Sequence, residues 1–133
     1  MQKQKKAYVS PEVGHHVIAT FVRVPHELLV DHNSVLKVVE RALEAHRYGI
    51  FSIDIRYFSK NKKQNGKDGY TITITLAESH LTLHTYVEHR SIAFDFYTCR
   101  GPEAAWPVFE EIVAALKFEY EGLVSLQRRV RFR

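Results

Sequence analysis

Residues 78–84 place a carboxylate, a hydroxyl and two imidazoles close together: Glu78-Ser79-His80, then His84. A hydroxyl with an imidazole in reach is the minimum for a nucleophile and its base. Ser79 with His80 or His84 has suitable residue types for acyl transfer. It lacks, however, the strand–turn–helix setting of a G-x-S-x-G elbow, and a strand serine beside a histidine is more often structural. A lone thiol, Cys99, follows on a later segment. The histidines also raise a metal reading. His15 and His16 are adjacent, so a strand points them to opposite faces. His80 and His84 share a face but stand roughly 13 Å apart along a strand, too far to ligate one ion. No metal is expected. Neither a P-loop nor a Rossmann glycine pattern is present.

These residues need elements to hold them. Residues 15–24 read as a strand closed by Pro25. Asp31-His32-Asn33-Ser34 offer helix caps. Residues 35–47 have helical spacing, with Val35, Val38, Val39, Ala42 and Leu43 on one face. Tyr48-Gly49 ends that helix, and residues 50–58 form a second strand. The stretch 59–69 has four lysines, two glycines and no apolar residue, which marks a solvated loop. Residues 70–86 read as one long strand or two, with Thr71, Thr73 and Thr75 sharing a face. Residues 91–99 form another strand. A helix over 102–120 opens with proline, and 122–132 forms a basic edge strand whose charges protect that edge. This order predicts an α+β fold: a two-layer sandwich, mostly antiparallel, with two helices on one sheet face.

Composition narrows the class. At 133 residues and 45% hydrophobic, the chain suits one domain with a real core rather than disorder. Residues 1–12 read as a flexible basic tail and 13–133 as the domain. No apolar run suits a membrane span or a signal peptide. With one cysteine there is no intrachain disulfide, in keeping with a reducing cytoplasm. A net charge of +4 is too small to argue for nucleic acid, and few aromatics interleave with the basic loop.

The run "AESHLTLHT" followed by "FDFYTC" closely resembles the bacterial and archaeal S-adenosylmethionine decarboxylases of the short, pyruvoyl-dependent type. Glu78, Ser79, His80, His84, Thr85, Glu88, Asp95, Thr98 and Cys99 fall in matching places without a gap. "GHHVIATF" resembles the family's opening strand, and the likeness covers about residues 14–120. The resemblance implies self-cleavage at Glu78–Ser79 by an N→O acyl shift. Elimination and hydrolysis would then leave a pyruvoyl group derived from Ser79, with chains 1–78 and 79–133 as products. That group would form a Schiff base with the substrate amine and act as the electron sink, with no pyridoxal phosphate and no metal. By position, His84 would be the base, Thr71 would stand for a serine that holds the cyclic intermediate, and Cys99 would return a proton to the product. Glu88 would bind ribose hydroxyls and Phe58 would stack near the sulfonium. The family's working form is a homodimer of cleaved protomers with sites at the interface. The Arg-rich C-terminus (Arg128, Arg129, Arg131, Arg133) could serve that assembly.

Departures cluster in the substrate pocket. Tyr86-Val87 replaces Trp-Pro, His89-Arg90 replaces Tyr-Gly, and Thr20 stands where the family has an acid. Ile55-Arg56-Tyr57-Phe58 replaces Phe-His-(Lys/Arg)-Phe. A lost acid removes a favourable charge near a sulfonium, and an added arginine repels a cation or attracts a carboxylate. The first expectation is S-adenosylmethionine decarboxylation, serving spermidine synthesis. Arginine or ornithine decarboxylation on the same scaffold is the alternative, and an inactive regulatory homologue a further one.

Overall fold

The computed structural model describes residues 13–58 and 68–129. The basic tail 1–12, most of the lysine loop (59–67) and residues 130–133 lie outside the described residues. The elements run β1 (Val13–Val22), α1 (His26–Val30), α2 (Asn33–Ala45), β2 (Ile50–Phe58), β3 (Gly69–Leu76), β4 (Ser79–Tyr86), a 3-10 turn (Val87–His89), β5 (Ser91–Thr98), α3 (Pro102–Leu116) and β6 (Glu119–Arg129). The strands form one sheet in the order β2-β3-β4-β5-β1-β6, with every pairing antiparallel. The expected α+β sandwich is therefore present, with a sheet antiparallel throughout.

Strand alternation decides which side chains meet the helices. Leu81 and Leu83 of β4, Ile92, Phe94 and Phe96 of β5, and Val17, Ala19 and Phe21 of β1 are all buried. They meet Val35, Val39, Ala42 and Leu43 of α2 and Ala105, Val108, Phe109 and Ile112 of α3. Phe21 sits at the centre, with ring centroids 5.4 Å from Phe94, 6.0 Å from Phe109 and 4.5 Å from Phe118. Removing a ring from such a cluster, as in Phe94→Ala, costs about 3–5 kcal/mol.

Among the described residues, no layer covers the opposite face. It carries Thr71, Thr73 and Thr75, then His80, Thr82 and His84, then Asp95 and His16. Ile18, Val124 and Leu126 are exposed there, Ile18 beside Val124 and His16 beside Leu126.

Several boundaries differ from expectation. Residues 70–86 are two strands joined by a two-residue turn at Ala77-Glu78. The segment after Pro25 forms the extra helix α1, an element that the sequence reading did not name. Helix α2 starts two residues early, with Asp31 Oδ1 accepting from the Asn33 amide at 3.0 Å. Helix α3 stops at Leu116, short of 120, because Lys117 takes a left-handed conformation (φ 56°) and lets Phe118 drop into the core. The last strand correspondingly begins earlier, at Glu119, and is the sheet edge beside β1.

Candidate active site

The turn between β3 and β4 holds the Glu78–Ser79 bond. Leu76 pairs with Ser79 across the hairpin, and the Ala77 amide donates to the Gly49 carbonyl at 3.2 Å. Glu78 has φ 61°, a turn position usually given to glycine or asparagine. For a residue with a Cβ this geometry carries about 1–2 kcal/mol of strain. Glu78 is exposed, while Ser79 faces the helices and is buried.

Cys99, just past β5, reaches this turn. Its thiol donates to the Glu78 carbonyl oxygen at 3.1 Å and approaches Oε1 of the same residue at 3.3 Å. Burial, reinforced by the Glu78 acceptors, pushes the Cys99 thiol up, with Ser79 acting weakly the other way. The thiol is thus held protonated at neutral pH, a proton donor more than a nucleophile.

Two residues that the sequence did not single out brace this end of β5. The Tyr48 hydroxyl lies 3.1 Å from Thr98 Oγ1 and 3.0 Å from the Ala104 carbonyl oxygen. Arg100 lies over the Tyr48 ring at 4.1 Å and donates to the carbonyls of His46 and Arg47 at 2.8 and 2.7 Å. The end of α2 is thereby tied to both sides of Cys99. No motif announced this role, because it depends on where α2 ends in space.

The remaining expected residues lie elsewhere. Thr71 Oγ1 and His84 Nδ1 are hydrogen-bonded at 2.9 Å on the uncovered face. His84 is five residues along β4 from Ser79, roughly 16 Å. The two also point to opposite faces, since Ser79 shares the buried row of Leu81 and Leu83. His80 points away from Ser79 as well, its ring stacked on Tyr97 with centroids 5.8 Å apart. The reading of Ser79 with His80 or His84 as a nucleophile–base pair within one chain is therefore corrected: strand alternation turns the hydroxyl away from both imidazoles. Phe58, the last residue of β2, pairs with Gly69, and a Cβ on Gly69 would meet Thr85 Oγ1 and the Phe58 ring. Glu88 sits in the 3-10 turn after β4, and both Phe58 and Glu88 are exposed. Expected site residues thus fall into two groups at opposite ends of the sheet: Glu78, Ser79 and Cys99 at one, Phe58, Thr71, His84 and Glu88 at the other.

The departures now have addresses. Thr20 pairs with Ala93, which pairs with His84, which pairs with Thr71, so Thr20 completes the row across the sheet. Arg90 takes a left-handed conformation (φ 51°) where the family pattern has glycine, and its Nε donates to the Val24 carbonyl at 3.2 Å. Arg56 Nε donates to Asp54 at 3.0 Å. Each added arginine is engaged with the protein itself.

Comparison with known proteins agrees with this architecture. The sequence profile described as S-adenosylmethionine decarboxylase matches residues 15–129. The chain belongs to the S-adenosylmethionine decarboxylase family. Its relatives include the S-adenosylmethionine decarboxylase proenzyme of Thermoplasma acidophilum, 34% identical over 105 residues, covering 79% of this chain and 75% of that one. The arginine decarboxylase proenzyme of Aeropyrum pernix is 31% identical over 105 residues, covering 79% and 76%. The solved structure of the Aquifex aeolicus adenosylmethionine decarboxylase shares the fold, with a TM-score of 0.70 over 92% of this chain and 94% of that one, at 20% identity. Membership in a decarboxylase family described as proenzymes accords with the resemblance read from "AESHLTLHT" and "FDFYTC". Among the described residues, no helix is long and apolar enough to cross a membrane.

Proposed function

We propose that this chain is a self-cleaving, pyruvoyl-dependent decarboxylase acting on S-adenosylmethionine in the cytoplasm, and that it works as a homodimer. The observation that carries the reading is the Glu78–Ser79 junction: a left-handed residue at a tight turn, with the Cys99 thiol on its carbonyl oxygen. Attack by the Ser79 hydroxyl on the Glu78 carbonyl carbon breaks the amide and forms an ester, with strain at Glu78 favouring departure from the native turn. A thiol already donating to that oxygen stabilises the charge that develops there. Loss of the Ser79 Cα proton then expels Glu78 as a carboxylate, and water completes conversion of residue 79 with release of ammonia.

The residues around Ser79 suit the group formed there. Ser79 is buried, and the Cys99 thiol, held protonated, is hydrogen-bonded to it. The group supplies a carbonyl that takes up the substrate amine and draws off the electrons left by the departing carboxylate. Cys99 holds a proton at Sγ beside this position and returns it to the product carbon. Glu88 and Phe58 bind the nucleoside end.

Removal of the Cα proton needs a base, and His84 is roughly 16 Å from Ser79 in the same chain. A two-fold pairing through the uncovered face supplies one. In an isologous interface, the Ser79 end of one protomer meets the His84 end of its partner, and the converse, which completes two sites at once. The exposed Ile18, Val124 and Leu126 on that face support such a contact.

Intact-mass measurement tests the cleavage: two fragments broken before Ser79 are expected. An uncleaved chain that cannot be trapped on an amine by cyanoborohydride overturns the enzyme reading and leaves the inactive regulatory homologue. Release of CO₂ from S-adenosylmethionine, arginine and ornithine, measured side by side, settles the substrate. Arginine is the second reading because the Aeropyrum pernix relative carries that name.

A further inference from the structure

The centre of the uncovered sheet face holds a cluster that the decarboxylase reading does not use. His16 on β1, Asp95 on β5 and His80 on β4 lie on three adjacent strands. His16 Nε2 is 2.6 Å from Asp95 Oδ1, and His80 Nε2 approaches the same oxygen at 3.8 Å. All three donor atoms lie within 4.8 Å of one another. The sequence could not show this, since the histidines it compared were His15 with His16 and His80 with His84. Only the β1–β5–β4 adjacency brings residues 16, 80 and 95 together.

We propose that His16, His80 and Asp95 bind one divalent ion of the zinc class. Two imidazoles and a carboxylate are the donor set preferred by borderline transition metals over magnesium or calcium. Donors around a four-coordinate zinc stand about 3.3 Å apart, given bonds of about 2.0–2.1 Å. The spacings present bracket that value, so side-chain rotation alone brings the three onto an ion. Tyr97 sets the rings: His80 stacks on it at an interplanar angle of 27°, and His16 meets its edge at 80°. Both imidazoles thereby present Nε2 toward Asp95. Binding through Nε2 requires the neutral His16 ring to carry its proton on Nδ1, so the ion replaces the present hydrogen bond to Asp95. In the single chain Asp95 and the imidazoles are partly open to solvent, which leaves a fourth position for water.

All three ligands come from one chain, so the donor set needs no residue of a partner, although in the proposed two-fold dimer the site faces the interface. An ion here ties β1, β5 and β4 together one residue away from the Glu78–Ser79 bond. It also stabilises the fold by mass action.

Titration of the untagged, metal-stripped chain with Co²⁺ and Zn²⁺ tests the site. One Co²⁺ per chain is expected, with visible d–d absorption that Zn²⁺ abolishes by displacement, and Zn²⁺ is expected to raise the thermal midpoint. His80→Gln and Asp95→Asn are each expected to weaken binding by at least about tenfold, the scale at which even supporting residues of metal sites act. Exposed His89 lies outside the cluster, so His89→Gln is expected to bind as the unaltered chain does. His80 is half-exposed, so its replacement leaves the core intact, and circular dichroism checks this. Failure to bind one ion at micromolar metal overturns the proposal. So does equal affinity in the His80→Gln, Asp95→Asn and unaltered chains.

Discussion

The Cys99 thiol lies 3.1 Å from the main-chain oxygen of Glu78, the carbonyl that precedes Ser79. One side chain thus attends both the bond to be broken and the residue to be converted. Because burial and Glu78 hold the thiol protonated, its part is to donate. In Cys99→Ala the chain is expected still to cleave before Ser79, more slowly, since the serine remains the nucleophile. Release of CO₂ by the cleaved enzyme is expected to fall by about 10²–10⁴-fold, the usual worth of a positioned acid. Fragment mass and CO₂ release, measured on the same preparation, separate the two effects. Equal losses in both would show that Cys99 serves cleavage alone.

Thr71 donates to or accepts from His84 at Nδ1, and so fixes which ring nitrogen faces outward. Thr71→Val keeps the shape and removes the hydroxyl. Both residues are on the sheet surface, so stability is expected to change by less than about 0.5 kcal/mol. Cleavage is expected to slow by at least about tenfold, because His84 loses the contact that orients its ring. Thr71→Ser restores the hydroxyl and is expected to restore the rate. Fragment accumulation over time, followed by mass, checks this, and a Ser variant as slow as the Val variant would remove the hydroxyl from the argument.

Much of this was legible in the sequence, and the gaps have physical causes. Alternation in β3 correctly put Thr71, Thr73 and Thr75 on one face, away from the buried Ile72, Ile74 and Leu76, and Pro102 correctly opened a helix. The stop at Lys117 was hidden because a lysine in a left-handed conformation carries no sequence mark, unlike glycine. The turn at Ala77-Glu78 was hidden likewise, and with it the strain at the scissile bond. The residue types at Ser79, His84 and Cys99 showed what chemistry was present. They could not show that His84 and Ser79 sit at opposite ends of β4, although the strand period contains that fact once β4 is granted. Cross-strand neighbours such as His16, His80 and Asp95 require the sheet order, which no local pattern encodes.

His15 makes the fold sensitive to acid. It is 5% exposed, its Nε2 is bonded to Ser125 Oγ at 2.6 Å, and its Nδ1 has no partner among the described residues. Burial holds its pKa below the usual 6.5, against a smaller opposing pull from Glu103. The unfolded chain therefore takes up a proton near pH 6.5 while the folded chain does so only at lower pH. Its contribution to stability is full above 6.5, is lost as pH falls through the folded value, and then levels off. In thermal melts between pH 7.5 and 5, roughly the window this linkage spans, the unaltered chain is expected to lose more of its midpoint than His15→Gln. Parallel curves for the two chains would mean that His15 titrates as it does when unfolded.

The separation of Ser79 from His84 makes a prediction that a site within one chain cannot share. Ser79→Ala lacks the nucleophile and His84→Ala lacks the base, so neither is expected to cleave by itself. In a mixed dimer, the chain carrying His84→Ala still has Ser79, and the chain carrying Ser79→Ala still has His84. Two-fold docking brings these two intact halves together at one of the two sites and the two damaged halves together at the other. Co-expression is therefore expected to cleave the His84→Ala chain and never the Ser79→Ala chain. With random pairing of equal amounts, the yield should approach about half of the His84→Ala chains. Mass spectrometry distinguishes the two chains by their substitutions, so the readout is direct. If the mixture stays whole while each variant remains dimeric, His84 does not act across the interface, and the base must come from another residue beside Ser79.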